Sequence, residues 1–574
     1  MSKSLIIPTA PERTFVPKEI NLDDWNAIEP LLENLISRKF NSKDDLYKWL
    51  LDRSELDAVI EENVGRRYIK MTIDTRVEEA AKSYEYFITE INPKISPYED
   101  QLNRKLNDSP YKAELTSEGF DIYLRSVSSA IELYREENNE LFAQDATLGQ
   151  KYGAISGKQS ITYKGEEMTM QQAGALLKST DRSVRKEIFD LTSQRRLEDQ
   201  KEMDDILTEM IVVRTKIAKN AGFENYRDYK FKSMGRFDYS VKDCLNFHES
   251  IEKNIVPILK GFNQERKEAL KLEHLMPYDT SVSLDGKAPL KPFENAEELI
   301  DKSISLFYKI DGYCGDRLAI MKEMKHLDLA SKAGKSPGGY NYPLYEIGVP
   351  FIFMNSVGLQ RDLITMIHEG GHAVHSFLSR DLPLTPFKSL TSEIAELASM
   401  SMELMSMEHW EDIYQGEDLI KAKKEQLQGV LEVLPWIAIV DSFQHWLYEN
   451  PDHSIAERHS EWNKINQRFS TGIVNWEGYE DYHKVTWQRQ LHIFEVPFYY
   501  IEYGMAQLGA IAMWRNYVKN PSKTMEEYKA ALALGYTKSI PDVYATGGVQ
   551  FDFSADYVSE LSDFVMGKLE ELSS

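Results

Sequence analysis

Two histidines and a glutamate near the middle of the 574-residue chain have the spacing of a metal centre. His368, Glu369 and His372 form the pattern His-Glu-x-x-His within TMIHEGGHAVHSF. Residues four apart lie on the same face of a helix, so both imidazoles can bind one ion. Glu369 is placed to accept a proton from a water at that ion. The pattern predicts a catalytic metal site; two surface histidines on an ordinary amphipathic helix are the alternative.

A catalytic zinc site needs a third protein ligand and leaves one position for water. The segment LTSEIAELASMSMELMSMEHW, downstream of His372, has a strong helical pattern. Three of its glutamates share one face of that helix: Glu393, Glu396 and Glu403. Acidic side chains on the apolar face of a methionine-rich helix are costly to bury unless a metal or its ligands pair with them. Spacing alone leaves open which carboxylate binds the ion.

Two glycines and a further histidine lie in the same predicted helix. Gly370 and Gly371 each cost roughly 1 kcal/mol relative to alanine at a mid-helix position. We expect them to let the glutamate-bearing helix approach closely; a local kink is the alternative. We interpret His375, one turn beyond His372, as a packing or ligand-orienting residue rather than a ligand.

A second group of candidate residues lies far downstream, in HIFEVPFYYIEYGMAQLG. Tyrosine hydroxyls and a histidine can donate hydrogen bonds to the oxyanion that forms when a peptide carbonyl is attacked. In a continuous helix, His492, Tyr499 and Tyr503 share one face, whereas Tyr500 lies about 80° away. Pro497 is able to break that helix, and an aromatic core stripe is the alternative on composition alone.

The least helical stretch of the chain, SKAGKSPGGYNYPLYEIGVPFIFMN, precedes the metal-binding motif. Its residues 351–354 form a compact apolar run typical of a β-strand. An exposed strand edge can hold an extended peptide through main-chain hydrogen bonds. We therefore predict substrate binding by Gly338, Gly339 and Tyr340, with a short structural sheet as the alternative.

The remaining segments are predicted to be helices and one hairpin. Helical periodicity with N-capping aspartates and serines covers most of the remaining chain. Between the helical stretches, Ile161 and Tyr163 alternate across a glycine-bounded tip, which predicts a small hairpin.

HEGGHAVHSF followed by SEIAELASMSMEL resembles the M3 family of zinc metallopeptidases, in particular its oligoendopeptidase F branch. The resemblance implies that Glu396, which opens a Glu-x-Ala-Ser stretch, is the third ligand of one zinc ion per chain. It implies that Glu403 orients a ligand imidazole. It also implies that His492 and Tyr503 act on the substrate, while the choice between Tyr499 and Tyr500 stays open.

The same resemblance, strongest over residues 180–560, implies a fold and an activity. The expected fold is mainly α: a two-lobed helical clamshell with a deep cleft and a small β-sheet beside the HExxH helix. We expect an N-terminal helical lobe over residues 1–180 and a catalytic region over 181–574, with the metal-binding helix at about 360–378. The N-terminal 150 residues match only in being helical. The expected activity is hydrolysis of internal bonds of unfolded oligopeptides.

Two other functions stay open. A dipeptidyl carboxypeptidase has the same zinc site but needs a group that grips the substrate C-terminus, which no sequence feature clearly supplies. A non-catalytic peptide-binding protein with a vestigial site is the alternative from a different class. The complete ligand set and Glu369 argue against it.

Composition narrows the possible partners and location. The net charge of −24 argues against nucleic acid and anionic membrane surfaces. No run approaches the ~18 apolar residues of a membrane span, and the N-terminus lacks a signal-peptide pattern. Two cysteines in a chain this long form no disulfide framework, so we expect Cys244 and Cys314 to be buried thiols. We expect a cytoplasmic protein of unknown oligomeric state.

Overall fold

The chain is built mainly from α-helices. The structure, a computed structural model, describes residues 5–285, 287–332, 334–336 and 338–573. Helices contain 68% of the residues and the sheets are small, which confirms the predicted mainly-α fold. Within the described ranges, no helix is long and apolar enough to cross a membrane.

The elements are numbered in chain order. The described residues form 24 α-helices, α1 to α24: Trp25–Ser37, Lys43–Ile73, Glu78–Tyr86, Asn92–Asn107, Phe120–Leu133, Asn138–Lys158, Met170–Leu176, Arg182–Glu198, Gln200–Asn220, Tyr226–Ser233, Val241–Ala269, Ala296–Ile310, Gly312–Glu323, Gln360–Ser379, Thr385–Lys388, Ser392–Ser406, Glu417–Glu449, Ile455–Arg468, Glu480–His483, Leu491–Glu495, Tyr500–Lys519, Pro521–Ala533, Ile540–Thr546 and Ala555–Glu571. The strands in these residues, β1 to β5, are Ser160–Tyr163, Glu166–Thr169, Leu327–Ala330, Tyr340–Tyr342 and Phe351–Ser356.

These elements group into two compact units, each assembled from three segments of the chain. Unit 1 comprises the residues up to Tyr134, Lys291–Lys423 and Ala506–Phe551. Unit 2 comprises Arg135–Leu290, Lys424–Met505 and the residues from Asp552 onward. The predicted lobe boundary after residue 180 falls within unit 2 and, like the clamshell and the deep cleft, stays a prediction.

A three-stranded sheet in unit 1 lies beside α14, the helix that carries His-Glu-x-x-His. The strand order is β3-β5-β4, with β3 parallel and β4 antiparallel to β5. The central strand β5 contains the predicted run 351–354, whose residues are all buried. Asn341 in β4 donates a hydrogen bond from Nδ2 to the carbonyl oxygen of Glu369 at 3.1 Å. The sheet predicted beside the metal-binding helix is therefore present and joined to it.

Helix α14 begins where a carboxylate satisfies the first backbone donors. Asp362 accepts hydrogen bonds from the backbone N–H groups of Val357 and Leu359 at 2.8 and 3.0 Å. An acidic side chain in the first turn also interacts favourably with the helix dipole. From there α14 runs unbroken over Gln360–Ser379, close to the predicted 360–378.

The two glycines of the motif allow close packing on two sides of α14. A methyl group on Gly371 would lie 2.6 Å from Cα of Ser399 and 2.9 Å from the carbonyl oxygen of Ala398, both in α16. A methyl group on Gly370 would lie 2.6 Å from the ring of Phe307 in α12. The expected close approach is confirmed for α16, and α12 uses the second glycine in the same way.

In unit 2, the predicted hairpin is formed by β1 and β2. The strands are antiparallel, and Ile161 and Tyr163 are buried on one face. Lys164 and Gly165 have φ angles of 51° and 85°, the left-handed conformation that a two-residue hairpin turn requires. The other regular elements described in this unit are helices, apart from an isolated bridge between Leu275 and Val474.

Candidate metal centre

Three side chains from two helices of unit 1 bring their donor atoms to one point. Helix α14 supplies His368 and His372, whose Nε2 atoms are 3.2 Å apart. Helix α16 supplies Glu396, whose Oε2 lies 3.3 Å from Nε2 of His368 and 3.7 Å from Nε2 of His372. Glu396 is 4% exposed, and its Oε2 accepts a hydrogen bond from Ser399 Oγ at 3.1 Å.

This triangle fits a small metal ion. Donors about 2.0–2.1 Å from a tetrahedral ion are separated from each other by about 3.3–3.4 Å. The three observed separations, 3.2, 3.3 and 3.7 Å, are within a few tenths of an ångström of that value. Two imidazole nitrogens and a carboxylate oxygen are also a donor set that zinc accepts.

The carboxylates of Glu396 and Glu403 make a positive charge favourable at His368, which lies between them. Burial opposes a charged His368, but hydrogen bonds to Glu396 and Glu403 raise the pKa of His368 well above its ordinary value. Burial also opposes a charged Glu396, yet the imidazoles lower the pKa of its carboxyl to about 2. Burial lowers the pKa of His372 to about 4 and raises that of Glu369 to about 7.

The other two glutamates of α16 have different surroundings. Glu403 Oε1 accepts a hydrogen bond from Nδ1 of His368 at 2.7 Å, whereas the Nε2 atom of the same ring belongs to the donor triangle. Glu393 is buried one turn before Glu396 and lies outside the group of converging donors. The structure thereby separates three carboxylates that the helical spacing leaves equivalent.

His375 is buried in α14 without joining the centre. It is 0% exposed, and neither of its ring nitrogens has a protein hydrogen-bond partner. Burial lowers its pKa to about 3, so the ring packs as a neutral group. This agrees with the interpretation of His375 as a packing residue.

The downstream aromatic residues form a cluster in unit 2, although not on a continuous helix. His492 lies in α20, which ends at Glu495, and α21 begins at Tyr500. The ring centre of His492 is 6.0, 4.8 and 5.8 Å from those of Tyr499, Tyr500 and Tyr503. All four predicted residues therefore meet, including Tyr500, which a continuous helix would place on another face.

The turn between α20 and α21 is held by an adjacent arginine. Phe498 in this turn has a φ of 68°, an uncommon value for a residue other than glycine. Arg236 donates a hydrogen bond to the carbonyl oxygen of Phe498 and pairs with the buried Glu502 at 2.8 Å. These contacts hold the break between α20 and α21, beside which the rings of Tyr499 and Tyr500 lie close to that of His492.

A chain of two hydrogen bonds selects the tautomer of His492. Trp436 Nε1 donates to Gln490 Oε1 at 3.0 Å, which orients the amide of Gln490. The amide nitrogen of Gln490 then lies 2.7 Å from Nδ1 of His492 and donates to it. A neutral His492 consequently carries its proton on Nε2, where it is a hydrogen-bond donor.

The predicted substrate residues lead into β4, an edge strand of the three-stranded sheet. Gly338 has a φ of 96°, so the chain turns sharply there into the strand. Tyr340 stacks on Phe353 with ring centres 4.8 Å apart, and its hydroxyl is 2.6 Å from Oγ1 of Thr72. The side chain of Tyr340 is thus engaged in packing, and the carbonyl oxygen of Gly338 accepts a hydrogen bond from Asn355 at 3.0 Å, so a peptide could pair only with the edge of β4 that faces away from β5.

Sequence reasoning missed several supporting residues. Asn341 bonds to a backbone carbonyl 28 residues away, and Gln490, although only two residues before His492, is oriented by Trp436, 54 residues away, so no spacing pattern marks them. Tyr528 and Tyr544 donate hydrogen bonds to the carbonyl oxygens of Ala398 and Glu393 in α16. Their only sequence signal is an aromatic residue in an amphipathic helix, which is equally typical of a core.

Family models match most of the chain. The model described as Peptidase family M3 matches residues 175–563, and the Peptidase M3 N-terminal domain matches residues 15–134. The second match assigns to the family a region where the sequence by itself shows only helical patterning.

Individual bacterial proteins are also similar to this chain in sequence. The Oligoendopeptidase F homolog of Borreliella burgdorferi is 26% identical over 416 residues, which are 69% of this chain and 66% of that protein. Oligopeptidase PepF of Bacillus subtilis is 22% identical over 611 residues, covering 96% of this chain and 84% of that protein.

Solved structures share the fold. PZ peptidase A with inhibitor 2 superimposes with a TM-score of 0.91 at 25% identity, covering 97% of this chain and 99% of that one. Oligoendopeptidase-F from Enterococcus faecium, at 17% identity and a TM-score of 0.63 over 95% of this chain and 96% of that one, shows the fold alone. The predicted family is confirmed: the chain belongs to peptidase family M3 and is a metallopeptidase of the oligoendopeptidase F type.

Proposed function

We propose that this chain is a zinc-dependent endopeptidase that hydrolyses internal bonds of oligopeptides, with zinc held by His368, His372 and Glu396. The observation that carries the proposal is the convergence of these three donor atoms, within 4.8 Å of one another, on the HExxH helix of an M3 chain. Zinc is preferred over manganese or cobalt because two imidazoles and one carboxylate are a typical catalytic zinc ligand set.

The proton transfers of the reaction are assigned to Glu369. When bound, zinc polarises the scissile carbonyl and makes water a nucleophile at neutral pH. Glu369 accepts a proton from the attacking water and delivers it to the leaving amine. The hydrogen bond from Asn341 to the backbone carbonyl of Glu369 supports this role, because it ties that turn of α14 to the sheet.

His492 and the tyrosines are proposed to act on the substrate carbonyl. This assignment rests on the family match and on the internal geometry of the cluster, in which Nε2 of His492 is a donor. Tyr503 and either Tyr499 or Tyr500 supply hydroxyl donors that strengthen as negative charge develops on the oxygen.

We also propose that a peptide substrate pairs with the outer edge of β4. An edge strand offers main-chain donors and acceptors at fixed spacing, so it recognises an extended backbone rather than particular side chains. Gly338 and Gly339 favour this role because they carry no side chain that would obstruct a neighbouring backbone.

We also propose a cytoplasmic location for the protein, argued from cysteine usage and net charge.

The substitution Glu369→Gln tests the catalytic assignment. The amide cannot accept the proton, so we expect kcat to fall by about 10²–10⁴-fold while the zinc content stays that of the wild type. Cleavage of a quenched oligopeptide measures kcat, and elemental analysis measures zinc. Glu393→Gln makes the same chemical change outside the donor group and is expected to leave kcat nearly unchanged.

Retention of wild-type activity by Glu369→Gln would refute the proposal. Mass spectrometry of the products defines the type of cleavage. Internal cuts in both free and C-terminally amidated peptides indicate an endopeptidase, whereas removal of C-terminal dipeptides from free peptides alone indicates a dipeptidyl carboxypeptidase. Peptide binding without any cleavage by the zinc-loaded wild type would indicate a non-catalytic protein.

A further inference from the structure

A second group of potential metal ligands lies inside unit 2. Helix α11 carries Cys244 and His248, and helix α17 carries Asp441 and His445. Each pair is spaced four residues apart and therefore shares one face of its helix. The four residues are 0%, 1%, 0% and 4% exposed, so two helix faces bring a thiol, a carboxyl and two imidazoles together in the interior.

The separations suit one ion. One donor atom each from Cys244, Asp441 and His445 lies within 4.8 Å of the other two. Nε2 of His445 is 3.2 Å from Oδ2 of Asp441, near the ~3.3 Å edge of a tetrahedral site. Among the residues that the structure describes, the other group with this geometry is the His368, His372 and Glu396 centre.

Three buried polar atoms of His445 and Asp441 lack a hydrogen bond. Both ring nitrogens of His445 lack a protein hydrogen-bond partner, although Nε2 is so close to Asp441. Oδ1 of Asp441 also lacks one. An unsatisfied buried polar atom costs about 1–3 kcal/mol, so such a cluster needs a compensating partner. A cation shared by these residues would supply that partner.

His248 contacts Asp441 but is not one of the three residues with converging donor atoms. Its Nε2 lies 2.8 Å from Oδ2 of Asp441, and its Nδ1 is 3.1 Å from the hydroxyl of Ser442. His248 therefore positions the carboxylate, as residues behind metal ligands commonly do.

We propose that Cys244, Asp441 and His445 bind a second metal ion, a divalent transition ion for which zinc is the best candidate, with His248 positioning Asp441. A thiolate with an imidazole selects ions of this class over magnesium or calcium, which prefer oxygen donors alone. Binding releases the thiol proton of Cys244 to solvent and involves no change of oxidation state.

The site would support the tyrosine cluster. The ring of His445 packs against Phe498 with centres 5.4 Å apart, and the neighbouring Gln444 accepts the backbone N–H of Phe498 at 2.7 Å. Phe498 is the left-handed residue of the turn that carries Tyr499 and Tyr500. The second ion therefore has a structural role: it fixes the end of α17 on which this turn rests.

Metal stoichiometry and cobalt spectroscopy test this site in the full-length protein. We expect two ions per chain by native mass spectrometry in the wild type and one in Cys244→Ala. In protein produced in cobalt-supplemented medium, we expect a thiolate-to-cobalt charge-transfer band in the near ultraviolet. The proposed catalytic centre has no sulfur ligand, so the band reports only on Cys244. Cys314→Ala, at the other buried cysteine, should keep both ions and the band.

The double substitution His368→Ala with His372→Ala separates the two proposals. It should keep one ion and the thiolate band. A wild type with one ion and the band supports the second site and counts against the catalytic one. A wild type without the band overturns the second site, as does loss of the band in Cys314→Ala. These measurements on the wild type and the double variant decide the question even if Cys244→Ala fails to fold.

Discussion

His368 is held from both sides of its ring. Its Nδ1 donates to Glu403 at 2.7 Å, while its Nε2 lies between Glu396 and His372. A metal-binding histidine commonly donates its second N–H to a carboxylate, which fixes the ring and makes the other nitrogen a better donor. This hydrogen bond supports the prediction that Glu403 orients a zinc-binding imidazole without belonging to the donor triangle.

Removal of the Glu403 carboxylate, which accepts the hydrogen bond from His368, should weaken zinc binding. We expect Glu403→Ala to lower zinc affinity by about 10–100-fold, measured by competition with a chelator. Glu403→Gln keeps an oxygen that can accept the same hydrogen bond and should lose much less. Equal zinc affinity in Glu403→Ala and the wild type would show that Glu403 has no positioning role.

Gln490 is expected to act through the tautomer of His492. In Gln490→Leu, Nδ1 loses its donor and the proton is no longer confined to Nε2, so we expect kcat to fall by about tenfold, the worth of roughly one hydrogen bond. KM should change little if His492 donates mainly in the transition state. Trp436→Phe, which removes only the group orienting the Gln490 amide, should show a smaller fall. A kcat for Gln490→Leu within twofold of wild type would contradict this role.

At the scale of elements, the approach of α14 to α16 sets the metal geometry. The two histidines belong to one helix and the glutamate to the other, so the donor triangle exists only at this interhelical distance. Gly371 permits it, because any side chain there meets backbone atoms of α16 that cannot rotate away.

Gly371→Ala should therefore separate the two helices. Overpacking costs about 1–3 kcal/mol, and the better helix propensity of alanine returns about 1 kcal/mol, so we expect a net loss of up to about 2 kcal/mol in the free energy of unfolding. Zinc affinity should fall as well. Urea unfolding of the metal-free protein measures the first effect and chelator competition the second.

Gly429→Ala in α17 is the matched control, because a methyl group there meets no atom within 4 Å. It should raise the free energy of unfolding by up to about 1 kcal/mol. If Gly371→Ala were as stable as this control and bound zinc normally, close packing at Gly371 would not set the site.

At the scale of the whole molecule, residues far apart in the sequence hold each unit together. In unit 1, Ser54 of α2 bonds to Thr385 of α15 at 2.9 Å across 331 residues. In unit 2, Asp279 is fully buried and pairs with Arg182 and Arg185, each at 2.8 Å. Such contacts join segments that the chain order separates, so stability depends on charge pairs as well as on apolar packing.

The Asp279 cluster predicts a specific acid sensitivity. Burial opposes its charge, but hydrogen bonds from the two arginines lower the pKa of Asp279 below its ordinary value of 3.8. The unfolded chain therefore binds the proton first as pH falls. The stabilisation is complete above about pH 4 and is lost as pH drops through the folded pKa.

Asp279→Asn should remove this dependence. We expect the variant to be less stable than the wild type at pH 7, by about 3–5 kcal/mol if Arg185 is left without a buried counter-charge. The difference should shrink below pH 4, because protonation of Asp279 in the unfolded chain then lowers the stability of the wild type. Urea unfolding between pH 3 and pH 7 measures it; a constant difference over this range would contradict the linkage.

The family, the helical class and the metal-binding motif were predictable from the sequence. The reason is that each depends on local geometry: a four-residue spacing on a helix places two imidazoles together whatever surrounds them. The strand 351–354 and the hairpin at Ile161 and Tyr163 were predictable for the same reason, since apolar runs and glycine turns act over a few residues.

The tertiary structure determined the contacts between residues that no local sequence pattern links. Three glutamates of α16 share a face, and only packing against α14 puts Glu396 at the donor triangle and Glu403 behind His368. The aromatic cluster needed a helix break that Arg236 holds from another segment. His248 and Asp441 are 193 residues apart and meet only where α11 crosses α17. Spacing determines which atoms share a helix face, whereas the contacts between helices determine which of those faces meet.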